Sequence, residues 1–235
     1  MIDFHTHILP GIDDGSQSVD ESVQMLMAQN EQNTEAVILS PHYYHSKEPI
    51  TSFLDRRETA FRILKAQWKP KTPILMLGAE VAFYVDMTKD ADIHRLCVAG
   101  TDVLLLEMPF TVWRTPMINE VYSLITNLRI TPIIVHIERY INEPQNLEAL
   151  RQLITMGAII QGNAEFFLKL RTRRRAFTML GQGQIQVFGS DCHNMTKQKP
   201  NMEKLEKMLN RKLKIEKSLQ LLNYSRSLLS NAESF

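Results

Sequence analysis

The chain has 235 residues, which suits one large domain, and its apolar and charged fractions of 44% and 23% are ordinary for a globular protein. A formal net charge of +1 provides no strong field, so nothing in the charge favours nucleic acid as a partner. Two cysteines are too few for a disulfide framework, no apolar run approaches the roughly 20 residues of a transmembrane helix, and no signal-peptide pattern opens the chain. We therefore expect a cytoplasmic protein that does not insert into a membrane.

Apolar runs predict seven strands with helices between them. The first strand opens the chain and runs into His5-Thr6-His7. The other six occupy residues 36–40, 74–79, 103–106, 132–135, 158–160 and 185–190. Apolar residues at helical spacing predict helices around 19–27, 53–64, 117–128 and 147–156, and a terminal amphipathic helix over 213–229. Ser16 or Ser18 is placed to cap the first of these helices.

The alternation of strands and helices predicts βαβ units and a parallel sheet. The strands are continuously apolar, which is typical of a sheet buried on both faces. Two architectures satisfy this pattern, a closed (β/α) barrel and an open doubly wound sheet. Polar residues follow nearly every strand, and only a barrel brings all strand ends to one mouth, so we expect the barrel. No linker or composition shift divides the chain, which predicts a single domain over residues 1–235.

Side chains that bind metals recur where the predicted strands end. This set comprises His5, His7, Asp14, His42, Glu80, Glu107, His136, Asp191 and His193. Nitrogen and carboxylate donors of this kind suit Mn, Fe or Zn in a catalytic cluster rather than a closed structural zinc site. Because the set is too large for one ion, it predicts two or three ions, with Glu80 or Glu107 as a bridging ligand.

Each member of this set also has a purely structural interpretation. A carboxylate at a strand end can cap the next helix, and a histidine there can be a hydrogen-bonded core residue. The recurrence at strand after strand favours the metal interpretation. Asp3 precedes His5 on the same face of the strand, so it is placed to fix the tautomer of that imidazole. Cys192 alternates away from the ligands, which predicts a packing role.

A multinuclear cluster of this type is suited to hydrolysing a phosphate ester with metal-activated water. Arg139, three residues after His136, is the best-placed residue to bind the phosphate, although a salt bridge with Glu138 or Glu143 would fit the spacing equally well. Four aromatic residues near the mouth could flank an aromatic leaving group or simply pack their loops: Tyr43, Tyr44, Phe110 and Trp113. The basic run 171–175 is typical of a solvated helix face, and less often of a partner-binding patch.

Six motifs together identify a family. In chain order they are Asp3-Phe4-His5-Thr6-His7, Ile12-Asp13-Asp14-Gly15, Ser40-Pro41-His42, Gly78-Ala79-Glu80, His136-Ile137-Glu138-Arg139-Tyr140 and Gly189-Ser190-Asp191-Cys192-His193-Asn194. Their order and spacing resemble those of the PHP-type bacterial protein-tyrosine phosphatases, the manganese-dependent capsule and exopolysaccharide phosphatases of Gram-positive bacteria. The resemblance covers nearly the whole chain.

The resemblance implies a distorted seven-stranded (β/α) barrel and a trinuclear site for which the nine residues given above are the ligands. It implies Mn²⁺ as the metal and Arg139 as the phosphate-binding residue. It also implies a phosphotyrosine protein as the substrate. The expected partner is the tyrosine-rich tail of a bacterial tyrosine kinase that controls polysaccharide synthesis.

One position departs from the family pattern. Gln198 stands where the family usually carries a second arginine, and Lys197 or Lys199 would replace it only as a point charge. Two alternatives therefore stay open beside the tyrosine phosphatase. One is a phosphatase for a small monoester such as histidinol phosphate, and the other is a weakly catalytic, metal-bound regulator of the kinase. A nuclease role has the least support, because no basic groove can be traced in the sequence.

Overall fold

The computed structural model describes residues 1–70 and 72–233. Parallel strands alternate with helices along these residues, as predicted. The strands are β1 (Ile2–Thr6), β2 (Ala36–Leu39), β3 (His42–Tyr43), β4 (Ile74–Leu77), β5 (Glu80–Ala82), β6 (Val103–Glu107), β7 (Thr131–Ile134), β8 (Ile159–Asn163) and β9 (Val187–Gly189). The α-helices are α1 (Val19–Glu31), α2 (Ile50–Gln67), α3 (Thr115–Thr126), α4 (Pro144–Met156), α5 (Ala164–Leu168), α6 (Leu170–Gly181), α7 (Met202–Lys212) and α8 (Ile215–Leu228).

The strands form a curled parallel sheet in two hydrogen-bonded parts. One part has the order β1-β2-β4, and the other has the order β3-β5-β6-β7-β8-β9. A parallel bridge between Thr6 and Cys192 links the end of β1 to the segment that follows β9. The mixed α/β class and the parallel sheet are confirmed.

The described residues contain nine strands where seven are predicted, because the short strands β3 and β5 follow the predicted strands that end at residues 40 and 79. The chain leaves the ladder at Ser40-Pro41 between β2 and β3, and at Gly78-Ala79 between β4 and β5. Proline has no N–H to donate to a ladder, which explains the first interruption. After both interruptions the chain resumes with His42 and Glu80 as paired neighbours. The irregularity therefore places two candidate ligands side by side.

The sheet separates two apolar layers. On the helix side, Val37, Leu39 and Leu104 belong to the larger cluster that packs against the helices. On the opposite side, Phe4 and Ile38 belong to a smaller cluster enclosed by the curl. Residues that alternate along a strand thus enter different apolar layers, which is why the strands are apolar at every position.

The C-terminal helices differ from the prediction. The terminal helix α8 lies within the predicted range 213–229, but the helix α7 before it was not predicted. Its buried residues are only Met202, Leu205 and Leu209, and charged side chains outnumber them.

Within the described residues, no helix has both the length and the apolarity to cross a bilayer. Ser18, rather than Ser16, caps α1, because its hydroxyl accepts a hydrogen bond from the Glu21 N–H.

Candidate metal centre and active site

The carboxyl ends of the strands bring the nine predicted ligands into one region. His5 lies in β1, His42 begins β3, Glu80 begins β5 and Glu107 ends β6. His7 and Asp14 lie in the segment after β1, and His136 lies two residues after the end of β7. Asp191 and His193 follow β9.

Glu80 lies at the centre of this region. One carboxylate oxygen, Oε2, is 3.1 Å from His5 Nε2 and 2.9 Å from His42 Nδ1. The other, Oε1, is 2.8 Å from His136 Nε2. His7 Nε2 is 3.3 Å from Oε2 and 3.0 Å from His5 Nε2. A buried carboxylate among four imidazoles has the position expected of a bridging ligand.

Three overlapping groups of ligand atoms have the spacing to hold a metal ion. They are His7, Asp14, His42 and His193; His5, His7 and Glu80; and His42, Glu80 and Glu107. The remaining two candidates adjoin these groups. Asp191 Oδ1 is 3.5 Å from His7 Nε2, and His136 Nε2 is 3.3 Å from Glu107 Oε1. The groups share residues, so they describe one multinuclear region.

Buried polar atoms in this region lack ordinary hydrogen-bond partners among the described residues. His5 Nδ1 and His136 Nδ1 have no hydrogen bond there, and His42 Nδ1 and Glu80 Oε2 lie 2.9 Å apart without the geometry of a hydrogen bond. A buried polar atom without a partner costs roughly 1–3 kcal/mol, and coordination to a metal ion would offset that cost. Imidazole nitrogens and carboxylate oxygens that face one another are also the donors that Mn, Fe and Zn prefer. The residues therefore fit a bound metal cluster.

Contacts between carboxylates and imidazoles shift the pKa values of Glu80 and His136. Burial alone would raise the pKa of Glu80, but the imidazoles of His5, His136 and His42 hold it well below its usual range. Burial alone would lower the pKa of His136, yet its hydrogen bonds with Glu107 and Glu80 raise it to about 9. Without metal, these contacts favour an ionised Glu80 and a protonated His136. A metal cation has to displace that proton.

Two of the candidate ligands have left-handed backbone conformations. His136 has φ 37° and Asp191 has φ 54°, values that non-glycine residues rarely adopt. Gln161 stabilises the first turn by accepting a hydrogen bond from the His136 N–H at 2.6 Å. Asn163 holds Asp191 by donating to Oδ2 at 3.0 Å, and the Gln161 amide donates to Asn163 in turn. Sequence reasoning missed this pair, although Gln161 and Asn163 alternate at the end of a predicted strand.

Glycines allow two segments to approach the ligands. A Cβ on Gly15 would lie 2.2 Å from the His7 carbonyl oxygen. A Cβ on Gly189 would lie 2.6 Å from the Cβ of His5. Any side chain at these positions would push a histidine ligand away, which explains why both recognised motifs contain a glycine.

Asp13 orients His7, and the sequence analysis assigned it no role. Its Oδ2 accepts a hydrogen bond from His7 Nδ1 at 2.8 Å and from the His42 N–H at 3.0 Å. Burial opposes ionisation, but the contact with His7 outweighs it and lowers the pKa of Asp13 to about 2. A carboxylate on the outer nitrogen fixes the imidazole so that Nε2 faces the cluster.

Asp3 does not contact an imidazole, contrary to the prediction. Its carboxylate accepts hydrogen bonds from the backbone N–H groups of His5 and Ser190 and from the side chain of Gln29. The register between β1 and β2 shifts between Asp3 and Thr6, so strict alternation fails there. Asp3 therefore ties β1 to the end of β9 and to α1. His5 Nδ1 has no hydrogen-bond partner among the described residues.

Arg139 extends over the same region. Its guanidinium donates to Asp191 Oδ2 at 2.6 Å, and neither of the two predicted alternative partners, Glu138 and Glu143, holds it. Arg139 and Gln198 line a cavity of about 200 Å³ together with the ligands Asp14, His42, Glu80, Asp191 and His193. Gln198 thus lines the same cavity as Arg139 and five of the candidate ligands. Lys197 does not line this cavity, whereas Lys199 lines the cleft beside it.

The four aromatic residues divide into two pairs. Tyr43 and Trp113 are buried packing residues. Tyr44 stacks on His42 with ring centroids 5.3 Å apart, and the exposed Phe110 stacks on His136 at 6.1 Å. An aromatic ring therefore packs on each of two candidate ligands, His42 and His136. Cys192 is fully buried between two ligands, as expected for a packing residue.

Comparison with known proteins identifies the family. A family model described as "Capsular polysaccharide synthesis, CpsB/CapC" matches residues 1–229. The chain belongs to the CpsB/CapC family. This confirms the family resemblance predicted from the six motifs.

Relatives in this family extend over nearly all of the chain. The tyrosine-protein phosphatase CpsB of Streptococcus agalactiae serotype III (strain NEM316) is 26% identical over 244 residues, covering 98% of this chain and 99% of the relative. The tyrosine-protein phosphatase YwqE of Bacillus subtilis (strain 168) is 29% identical over 206 residues, covering 83% and 78%.

The fold is also found in a solved structure. One chain from the crystal structures of YwqE from Bacillus subtilis and CpsB from Streptococcus pneumoniae, described as unique metal-dependent tyrosine phosphatases, superimposes with a TM-score of 0.84. The match covers 100% of this chain and 96% of the other at 23% sequence identity. The parallel α/β architecture of this CpsB/CapC member is thus one that the family already displays.

Proposed function

We propose that this protein is a metal-dependent protein-tyrosine phosphatase with Mn²⁺ as its metal. The observation that carries the proposal is the placement of Glu80 within 3.3 Å of nitrogens from four histidines, with Arg139 lining the same cavity. The names of its relatives support a phosphotyrosine substrate. The nine residues predicted as ligands would hold two or three ions, and we propose that they belong to one domain built on a distorted seven-stranded barrel.

The site supplies the parts that hydrolysis of an aryl phosphate needs. Bound divalent ions would polarise the phosphate ester and activate the attacking water. The guanidinium of Arg139 presents a planar fork for the phosphate oxygens, and its contact with Asp191 keeps it beside the cavity. Tyr44 and Phe110 offer apolar faces to a phenolic leaving group. Asp13, Gln161 and Asn163 orient the ligands before substrate arrives.

The biological substrate we propose follows from the family. Its description names capsular polysaccharide synthesis, which supports a tyrosine kinase controlling capsular or exopolysaccharide synthesis as the partner. The phosphotyrosines would lie in the tyrosine-rich tail of that kinase. A cytoplasmic location agrees with this partner and with the low cysteine content.

The test compares substrates with and without metal. Metal-stripped protein is assayed for phosphate release from a phosphotyrosine peptide, the matching phosphoserine peptide and histidinol phosphate, before and after Mn²⁺ is added. We expect release that depends on Mn²⁺ and favours phosphotyrosine. Arg139→Ala should raise KM and lower kcat while metal content is retained. Faster turnover of histidinol phosphate would replace this proposal with a metabolite phosphatase, and metal loading without any turnover would leave a binding protein.

A further inference from the structure

A second and larger cavity opens directly from the metal cavity. Its volume is about 790 Å³, within the range of roughly 300–1,000 Å³ that is usual for ligand sites. Arg139, Asp191 and Gln198 line both cavities. We call the larger cavity the basic cleft. Any group bound next to the reacting phosphate on the side of Arg139 therefore lies in the basic cleft.

Positive charge predominates in this cleft. Beyond Arg139, the cationic residues that line it are Lys169, Arg171, Arg175 and Lys199. The acidic residues that line it are Glu138, Glu165 and Asp191. The chain as a whole carries a formal charge of only +1, so this excess is a local feature.

Most of these charged groups already have partners. Glu165 pairs with Lys169, and Asp191 pairs with Arg139. Arg175 donates to the carbonyl oxygen of Ile141, and so holds the loop that follows Arg139 against α6. These contacts build the walls of the basic cleft and leave little charge there for a ligand.

Arg171 and Lys199 are different. Both side chains are exposed and line the basic cleft. Among residues 1–70 and 72–233, no carboxylate lies within ion-pair distance of either one. They come from separate segments, α6 and the loop that carries Gln198, and both border the same cavity. Two unpaired cations in a concave site are the expected arrangement for binding an anionic group.

The basic run 171–175 is therefore more than a solvated helix face. Arg171 and Arg175, four residues apart, share one side of α6 and line the basic cleft. Arg173 donates to the carbonyl oxygens of Phe167 and Leu168, and Arg174 is exposed and does not line the cleft. The helix thus separates its arginines into structural, cleft-lining and solvent-facing positions.

We propose that the basic cleft binds negatively charged side chains that flank the phosphotyrosine of the substrate, so that the enzyme prefers acidic or multiply phosphorylated segments. This inference rests on the proposed phosphatase function. Arg171 and Lys199 make the attractive contacts, while the exposed apolar side chain of Leu170 contacts the peptide chain. The shared chemistry of the ligand is an anion, either a carboxylate or a second phosphate.

Binding and turnover test the proposal separately. Three peptides of equal length carry a non-hydrolysable phosphonate in place of phosphotyrosine, flanked by neutral residues, by glutamates or by a second phosphonate. Their Kd values for the Mn²⁺-loaded protein are measured by fluorescence anisotropy. We expect the two charged peptides to bind about three- to tenfold more tightly than the neutral peptide. This ratio should shrink as salt is raised, because exposed charges are screened.

Variants localise the effect. The double variant Arg171→Gln/Lys199→Gln should bring the ratio close to one, whereas Arg174→Gln, on the same helix but outside the basic cleft, should retain it. A ratio of one in the unmodified protein, or an equal loss in Arg174→Gln, would overturn the proposal. Tighter binding of only the peptide with a second phosphonate would identify phosphate as the anion that the basic cleft binds. Equally tight binding of the glutamate peptide would show that negative charge alone is sufficient. If the unmodified, Mn²⁺-loaded protein did not turn over phosphotyrosine peptides, the phosphatase function would be refuted. The ratio of Kd values would still decide whether the basic cleft binds anionic side chains.

Discussion

At the residue scale, the site depends on contacts behind the ligands as much as on the ligands themselves. Asp13 is the clearest case, because its carboxylate accepts hydrogen bonds from both the outer nitrogen of His7 and the backbone N–H of His42. The sequence analysis selected Asp14 as a ligand and assigned no role to its neighbour Asp13. Only the structure separates the buried carboxylate that orients His7 from the exposed one that faces His42 and His193.

Asp13→Asn tests this orienting role. The amide retains the shape of the side chain but removes the negative charge on which His7 depends. We expect metal affinity to fall by about 10- to 100-fold while the fold is retained. Isothermal titration with Mn²⁺ measures the change, and Asp20→Asn, exposed in the first turn of α1, is the control. Unchanged affinity in Asp13→Asn would remove the orienting role.

Gly189→Ala tests the close approach of β9 to His5. An added Cβ would meet the Cβ of His5 at 2.6 Å, so one of the two backbones has to move. We expect a loss of about 1–3 kcal/mol in the free energy of unfolding, measured with urea, together with weaker Mn²⁺ binding. Gly181→Ala is the matched control, because its added Cβ meets nothing within 4 Å. Equal behaviour of the two variants would contradict the account.

At the scale of elements, the loop after β9 determines which of its side chains lines the cavity beside Arg139. Asn194 organises this loop by accepting hydrogen bonds from the N–H groups of Thr196, Lys197 and Gln198. The backbone oxygen of Gln198 in turn accepts from the His193 N–H at 3.0 Å. The loop thereby holds Gln198 at the cavity and leaves Lys197 outside it.

Gln198→Arg should therefore improve phosphate binding. A guanidinium at this position would face Arg139 across the cavity, and it would add a bidentate contact that glutamine cannot make. We expect KM for a phosphotyrosine peptide to fall by roughly three- to tenfold, which corresponds to about 1 kcal/mol. Lys197→Arg, one residue away but outside the cavity, should leave KM unchanged. A fall in KM for both variants would point to a general charge effect.

The sequence predicts the elements well where the pattern is strong. Continuous apolar runs located the strands, because the curl buries both faces of each one. The candidate metal ligands could be selected because they follow those runs. The sequence could not reveal the interruption before His42, the role of Asp13 or the pairing of Gln161 with Asn163. Those features depend on contacts between distant segments. Helix α7 was missed because few of its residues are apolar.

At the scale of the whole molecule, protons and metal ions compete for the same cluster. The pKa of His136 is raised from 6.5 to about 9 in the folded, metal-free protein. A raised pKa stabilises the fold fully below pH 6.5, and this contribution is lost as the pH rises through about 9. His7 and His42 shift in the same direction. Metal binding has to release these protons, so Mn²⁺ affinity should increase over the same pH range.

Thermal unfolding between pH 6.5 and 9 tests the predicted decrease in metal-free stability and the predicted increase in Mn²⁺ affinity. We expect the Tm of metal-free protein to decrease as the pH rises, because stabilising imidazolium–carboxylate contacts are lost. The increase in Tm caused by a fixed Mn²⁺ concentration should grow over the same range. Calorimetric titrations in buffers of different ionisation enthalpy would count the released protons. A Mn²⁺ effect that shrinks with rising pH would be inconsistent with histidine ligands.

The central claim is that one buried multinuclear cluster, centred on Glu80, drives phosphotyrosine hydrolysis. The most direct measurement is a Mn²⁺ titration of metal-stripped protein in which bound ions and phosphotyrosine turnover are measured together. Wild-type protein should bind two or three ions, and its turnover rate should rise with the number of ions bound. The control variant Glu31→Gln, at an exposed site, should behave in the same way. Glu80→Gln should bind fewer ions and stay inactive. If Glu80→Gln bound the full number of ions and turned over substrate at the wild-type rate, the account would be wrong.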